Sequence, residues 1–459
     1  MRMRLTILIA LTLVLLALWG CGPSQRADEF NKKGQLKIVF WHAMGGPLGD
    51  VLNGLIQDYN ESQDKYYIHP EFMGRYDILE QKIIASVMAG RTPDVAQMYE
   101  GVTMLLTRDE GEESLQALNP WVEKWDGWNQ IFPAFQENST YDNGIIYSLP
   151  FNKSFPVLMS NREILKLIGK KNPPGNWSEL ASYAKEIHER VGYDKELRKP
   201  VLKSQAQNPE DIMGYAFAVD PWLFEVMLLQ NGGQMANEEQ SEVYFNSEFA
   251  RESLNWFVKG VQEGWAYRTE GYNHQNEFGA QKVAFIITSS VSQKFMQKKL
   301  NFDFAVTPVP SGREREVSIM SGTNVAIFEG IGEARTGGAW DFISWLNSPE
   351  ITSKWARNTF YVPTRRDALQ RPEMQDYYKN VEGASASIDQ LEIGDMEPRS
   401  SAWYRCRIIL RSYMEKVISH IEKGDDENPD SLIKRYLDMA TKRMNRELSK
   451  YHIKRKSSS

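Results

Sequence analysis

Leu36-Lys37-Ile38-Val39-Phe40-Trp41, followed by Gly45-Gly46-Pro47-Leu48-Gly49, is the stretch that decides the fold class. Its opening residues are apolar apart from Lys37 and read as a buried strand, and the Gly-Pro run reads as a turn. Beyond the turn Leu48, Val51, Leu52, Leu55, Ile56 and Tyr59 recur at helical spacing, so a strand-turn-helix unit opens the folded part of the chain. Residues 66–72 read as a second strand, 78–89 as a second helix, and 93–98, entered through Gly90-Arg91-Thr92, as a third strand. This alternation argues for an α/β domain with a mostly parallel sheet.

Further along, Ile146-Tyr147-Ser148-Leu149-Pro150-Phe151-Asn152 is an extended run interrupted by a proline, and Val157-Leu158-Met159 begins another, which reads as a crossing between domains. A second α/β series follows, with helices expected around 178–190, 220–230 and 249–262 and a strand at 283–288. Residues 302–308 form another extended segment and 338–346 an aromatic-rich helix. The last part, 402–447, is helical by pattern with a break at 424–429. No internal repeat is visible.

With 459 residues the chain is long enough for two or three domains, each with its own core. Apolar residues at 42% and charged residues at 25% exclude both a disordered chain and a polytopic membrane protein. The formal charge of −6 argues against nucleic acid as a partner, because phosphate backbones require a concentrated basic surface. Lys454-Arg455-Lys456, the one basic cluster, lies in a Ser-ended tail and reads as solvated.

At the N-terminus Arg2 and Arg4 precede an apolar run over 5–18, and Leu18-Trp19-Gly20-Cys21 follows. Residues 1–20 therefore read as a signal peptide, with an apolar run short for a membrane span. Cys21 resembles a bacterial lipobox cysteine, although Trp19 departs from the small or β-branched residue usual there. A cleavable signal without lipid, or an uncleaved anchor, stays open. Residues 21–35, polar with Gly and Pro, read as a lipidated tether. The only other cysteine is Cys406, so acylation of Cys21 leaves no intramolecular disulfide.

Several segments together resemble the extracellular solute-binding proteins of carbohydrate-type ABC importers. They are Phe40-Trp41-His42-Ala43-Met44 with Leu48-Gly49, Ala89-Gly90-Arg91-Thr92-Pro93-Asp94, Pro150-Phe151-Asn152-Lys153-Ser154 with Pro156-Val157-Leu158, Tyr361-Val362-Pro363, and the stretch 399–410. Within the family they look most like the branch that binds glycerol-3-phosphate. The resemblance implies a periplasmic-binding-protein-like fold: two α/β lobes joined by a multi-crossing hinge, with a ligand cleft between them. It places the first lobe at 31–150 and 302–349 and the second at 155–300 and 355–455. It also implies an exported monomer held at the cell envelope by a lipid, an ABC permease as partner and no cofactor.

Carried across by motif, the positions resembling the family's ligand contacts are Tyr76, Glu100, Ser154, Ser289 or Ser290, Gly322, Tyr361 and Arg407, with Trp222 near the cleft. A tyrosine offers a ring face and a hydroxyl, a carboxylate after a strand can accept hydroxyl hydrogens, and a guanidinium grips phosphate with paired hydrogen bonds. Ser289 and Ser290 precede an expected helix start, where backbone amides can hold an anion. Blander roles stay open on the residues alone: Tyr76 packed under a helix, Glu100 as a cap, Ser154 as a turn residue, Gly322 as a turn and Arg407 as a salt-bridge partner. Trp222 is one of 13 tryptophans and can equally be core. Lys153 could add a second positive charge near the ligand. Glycerol-3-phosphate or a related glycerophosphodiester is the expected ligand, with Arg407 and Ser154 on the phosphate and Glu100 and Tyr76 on glycerol hydroxyls. A neutral mono- or oligosaccharide is the alternative.

No phosphate loop, nucleophile elbow, His-Glu-x-x-His or Cys-x-x-Cys pattern is present, and the six histidines show no ligand spacing, so neither catalysis nor a metal is expected. Two other classes stay open: a secreted glycoside hydrolase with paired cleft carboxylates, and an adhesin or sensor that has kept the fold and lost transport.

Overall fold

The computed structural model describes residues 29–107, 114–141, 144–191, 212–425 and 427–457, with side chains to residue 450. The signal segment 1–20, Cys21, the tether up to residue 28 and the Lys454-Arg455-Lys456 side chains lie outside the described residues.

The chain begins with β1 (Leu36–His42), α1 (Gly46–Ser62), β2 (Tyr66–Phe72), α2 (Tyr76–Met88), β3 (Val95–Met98), α3 (Glu100–Leu106) and α4 (Pro133–Ser139). Then come β4 (Ser148–Ser154), β5 (Pro156–Asn161), α5 (Trp177–Glu186), β6 (Met213–Ala218), α6 (Pro221–Gln230), α7 (Glu248–Gln262), β7 (Ala266–Thr269), α8 (Asn273–Gly279) and β8 (Val283–Ser289). The remainder includes β9 (Phe304–Pro308), β10 (Ser318–Ile319), β11 (Ser321–Ile327), α9 (Glu333–Leu346), α10 (Pro349–Thr359), β12 (Gly394–Asp395), α11 (Trp403–Glu422) and α12 (Pro429–Ser457).

Two five-stranded sheets result, β2-β1-β3-β11-β4 and β7-β6-β8-β5-β9, each the centre of an α/β lobe. Strands β1, β2 and β3 run parallel, as do β6, β7 and β8, and the strands that pass between lobes pair antiparallel. The first crossing is abrupt: β4 belongs to the first sheet, β5 to the second, and only Phe155 separates them. Every residue of both strands is buried, which explains why this stretch reads as continuous rather than alternating. The short pair β10-β12 lies apart from both sheets.

Three boundaries differ from the sequence expectation. Residues 302–349 were expected to open with the return to the first lobe, yet β9 pairs with β5 from Val157↔Pro308 to Asn161↔Phe304 and so completes the second sheet; the return comes at β11. The second lobe was expected from 355 onward, yet α10 packs on α1, and Trp355 and Tyr361 lie in the first-lobe core with Phe40, Leu52 and Phe342. Residues 29–35, expected as tether, fold back onto β1: Lys37 N–H donates to the Glu29 carbonyl and Phe30 bridges Leu36.

The first lobe is tied at its centre by a buried ion pair. Asp94 accepts from Val39 N–H at 2.7 Å and from Arg335 at 3.0 Å, which clamps α9 to the β1 and β3 strands. In the second lobe α11 and α12 form an antiparallel pair packed on α7, burying Leu410, Val417, Leu432 and Leu437.

Candidate ligand-binding site

The carboxyl ends of the parallel strands lead into the facing surfaces of the lobes, where ligands of open α/β sheets bind. Tyr76 follows β2, Glu100 follows β3, and Asp220, Tyr272 and Ser289-Ser290 follow or end β6, β7 and β8. On the first lobe a single side chain organises the wall. Asn152, wholly buried in β4, donates to the hydroxyls of Tyr76 at 2.8 Å and Tyr361 at 2.9 Å. Its carbonyl accepts from Gln97 at 2.9 Å and from the Thr323 hydroxyl, and Gln97 in turn accepts from Ala43 N–H. The Tyr76 ring lies 5.1 Å from Tyr99, while Tyr361 stacks on Trp355 at 5.6 Å and 8°, and Trp355 on Phe151 at 5.0 Å. Burial raises the pKa of both hydroxyls, keeping them neutral O–H groups, and the two are hydrogen-bonded to each other.

Glu100 begins α3 with one oxygen 3.0 Å from Lys153 Nζ, which is also 2.7 Å from the Asn138 side-chain oxygen. Lys153 was expected to present a charge to the ligand. It points inward instead, 1% exposed, because β4 is buried on both faces, and its charge is spent on Glu100. Burial lowers the Lys153 pKa, opposed by Glu100. Nearby, burial pushes the Glu80 carboxyl up to about 7, with Asp77 and Glu100 adding to the effect.

Asp220 centres the opposite wall. It caps α6 by accepting from Trp222 N–H at 3.0 Å, and it accepts from Arg407 at 2.8 Å and Arg411 at 3.2 Å. The other side of the Arg407 guanidinium meets Glu397, whose second oxygen accepts from Trp403 Nε1 at 2.8 Å. Glu225, wholly buried on α6, has no hydrogen-bond partner among the described residues. Burial pushes it up to about 7, against the nearby Arg407, which pulls it down, and Asp220, which adds to the rise. Arg407 was expected as a free phosphate grip; it is held between two carboxylates, although a quarter of its side chain is exposed and its field reaches Tyr99 across the cleft.

The five other expected contacts are engaged within the protein. Ser289 donates to Ser154 at 3.1 Å, and Ser290 is buried and donates to the Phe360 carbonyl at 2.8 Å, so this turn acts as a latch where anion-holding amides were expected. Trp222 packs on the second-lobe core and its indole donates to the Ile319 carbonyl at 2.9 Å, anchoring β10. Gly322 lies opposite Lys153 in the β4–β11 pair, and its close approach is to Asn152 backbone. The cleft thus gathers Tyr76, Glu100 and Tyr361 on one wall and Arg407 on the other. Sequence reasoning missed Asn152, Asp220 and Glu397, and also Tyr272, which is 78% exposed and faces Tyr361 electrostatically. A polar residue inside the unbroken buried run of β4 was the available signal for Asn152.

His42 and His274 are buried, and burial lowers each pKa from 6.5 to about 4. The unfolded chain therefore takes up protons first, so these groups withdraw stability as pH falls from 6.5 towards 4, by up to about 3 kcal/mol each. Glu80 and Glu225 act in the opposite sense, since carboxyls raised in the folded state favour folding as pH falls. Replacement His274→Phe isolates one contribution: the melting temperature of the variant relative to wild type should rise steadily from pH 7 to pH 4.5. A constant difference would show that His274 is not held neutral.

Comparison with known proteins places this geometry. The family described as bacterial extracellular solute-binding protein matches residues 54–381. The sn-glycerol-3-phosphate-binding periplasmic protein UgpB of Yersinia pestis is 24% identical over 412 residues, 84% of either chain. Among solved structures, UgpB from Mycobacterium tuberculosis in complex with glycerophosphocholine aligns with a TM-score of 0.76 at 19% identity, covering 91% of this chain and 99% of that one. The cyclic α-maltosyl-1,6-maltose binding protein from Arthrobacter globiformis aligns with a TM-score of 0.73, also at 19% identity, over 90% and 99%. With two α/β lobes, several crossings and a cleft walled by strand ends, the chain belongs to the bacterial extracellular solute-binding proteins, a non-catalytic family, and the hydrolase alternative falls away.

Proposed function

We propose that this ABC-importer receptor captures a neutral, hydroxyl-rich ligand, a mono- or oligosaccharide or a polyol. One observation carries the choice: among the described residues, the cations named at the cleft, Arg407, Arg411 and Lys153, are already paired with carboxylates. A phosphate dianion entering beside Asp220 and Glu397 meets like charge, whereas tyrosine rings and hydroxyls suit the C–H faces and hydroxyls of a sugar. Glycerol-3-phosphate or a glycerophosphodiester is the second reading, supported by the exposed quarter of Arg407 and by the names of the curated relatives.

Ligand held by Tyr76, Glu100 and Tyr361 on the first wall is enclosed when the second lobe closes about the crossings, and the closed form docks on the permease. Differential affinity for that form supplies the shift in population. Cys21 carries the lipid that keeps the monomeric receptor near its transporter.

Calorimetric titration of the purified protein with maltose, trehalose, glycerol-3-phosphate and glycerophosphocholine tests the choice. A sugar should bind, be recovered unchanged, and show little dependence on salt. Tight, salt-sensitive binding of the phosphorylated compounds alone would overturn it.

A further inference from the structure

The two carboxylates on Arg407 are held in different ways. Asp220 is fixed within its own lobe as the cap of α6 and is shared with Arg411. Glu397 stands on the segment between β12 and α11, which is fastened to the other lobe. Arg399 donates to the Glu137 and Thr140 carbonyls at the C-terminal end of α4, where a cation complements the helix dipole, and Met396 Sδ lies 3.6 Å from Asn138 Nδ2. Both Glu397 oxygens are engaged, one by Arg407 and one by the Trp403 indole, so the carboxylate is fixed in direction as well as in place.

We infer that Glu397 is the specificity-determining residue of the cleft: it covers the side of the Arg407 guanidinium that an anionic group needs, and so sets the charge class of the ligand. A guanidinium binds phosphate through two parallel N–H donors, and here one terminal nitrogen, Nη2, is given to Asp220 and the other, Nη1, to Glu397. An anion must displace a carboxylate or accept its repulsion. The direction of selection in the wild type rests on the neutral-ligand proposal above; the effect of Glu397 on anions does not.

The test is Glu397→Gln, which keeps an oxygen for the Trp403 indole and removes the charge. Inorganic phosphate and glycerol-3-phosphate are the anionic probes and maltose the neutral one, measured by calorimetry and by thermal shift against sodium chloride of equal ionic strength. The affinity for glycerol-3-phosphate relative to maltose should rise at least about tenfold, or 1.4 kcal/mol, and phosphate should raise the melting temperature of the variant more than that of the wild type. Parallel changes for all probes, or no gain with either anion, would sink the inference. Should the amide variant not fold, Glu397→Asp draws the carboxylate back by one methylene and must give a smaller gain in the same direction; no gain there is equally fatal. Tight anion binding by the wild type with a further gain in the variant would remove the neutral-ligand proposal and leave Glu397 in its role. Sugar binding by the wild type with no anion gain would do the reverse.

Discussion

Gly322→Ala is expected to prevent stable folding, at a cost above about 4 kcal/mol, within the rare upper tail of single substitutions. The backbone at Gly322 has φ +119°, and a Cβ placed there would stand 1.8 Å from the Asn152 carbonyl oxygen. Side-chain flexibility cannot relieve the clash, because the obstacle is backbone. Nor can β11 move away, since it is paired with β3 on one side and β4 on the other. Gly424→Ala is the matched control: φ is +70°, but the added methyl meets nothing within 4 Å, so only the cost of the left-handed backbone, about 1–2 kcal/mol, should appear. Urea denaturation followed by circular dichroism compares the two. If Gly322→Ala melts near the wild type, the crossing strands can separate without loss and the glycine serves something else.

Lys153→Met is expected to lose about 3–5 kcal/mol, the range for removing one partner of a buried pair. The lysine is buried in a strand with no solvent on either face, and its removal strands the Glu100 carboxylate, while the Asn138 oxygen keeps its bond from Asn324 at 3.1 Å. Ligand affinity should fall with it, because Glu100 loses what fixes its direction. The double variant Lys153→Met with Glu100→Gln should recover a large part of the stability, since a neutral amide beside a thioether carries no uncompensated charge. Additive losses in denaturant melts would mean that the two residues do not act as a pair.

The alternation of strand and helix over 36–98 was legible because each element there announces itself by its own periodicity, and the crossing near Phe155 by a proline in an apolar run. Strand β9 was legible as a strand but not as a member of the second sheet, because its partner β5 is remote in sequence and its pattern fits either sheet. The same limit governed the site. Arg407 was found by motif, but Asp220 lies 187 residues away, and nothing local to either marks them as partners. Lys153 misled for a different reason: lysine is almost always solvated, and only the burial of β4 on both faces turns it inward.

The place of β11 between β3 and β4 also sets the order in which the molecule can be assembled. A chain extended only to residue 320 has every strand of the second sheet, since β9 ends at Pro308, but lacks the strand that joins β3 to β4 in the first. Until 321–327 arrive, β3 and β4 each carry an unpaired backbone edge, although both precede every strand of the other sheet. The sheet that begins first therefore closes last, and in the interval its open edges are exposed to wrong pairing and aggregation.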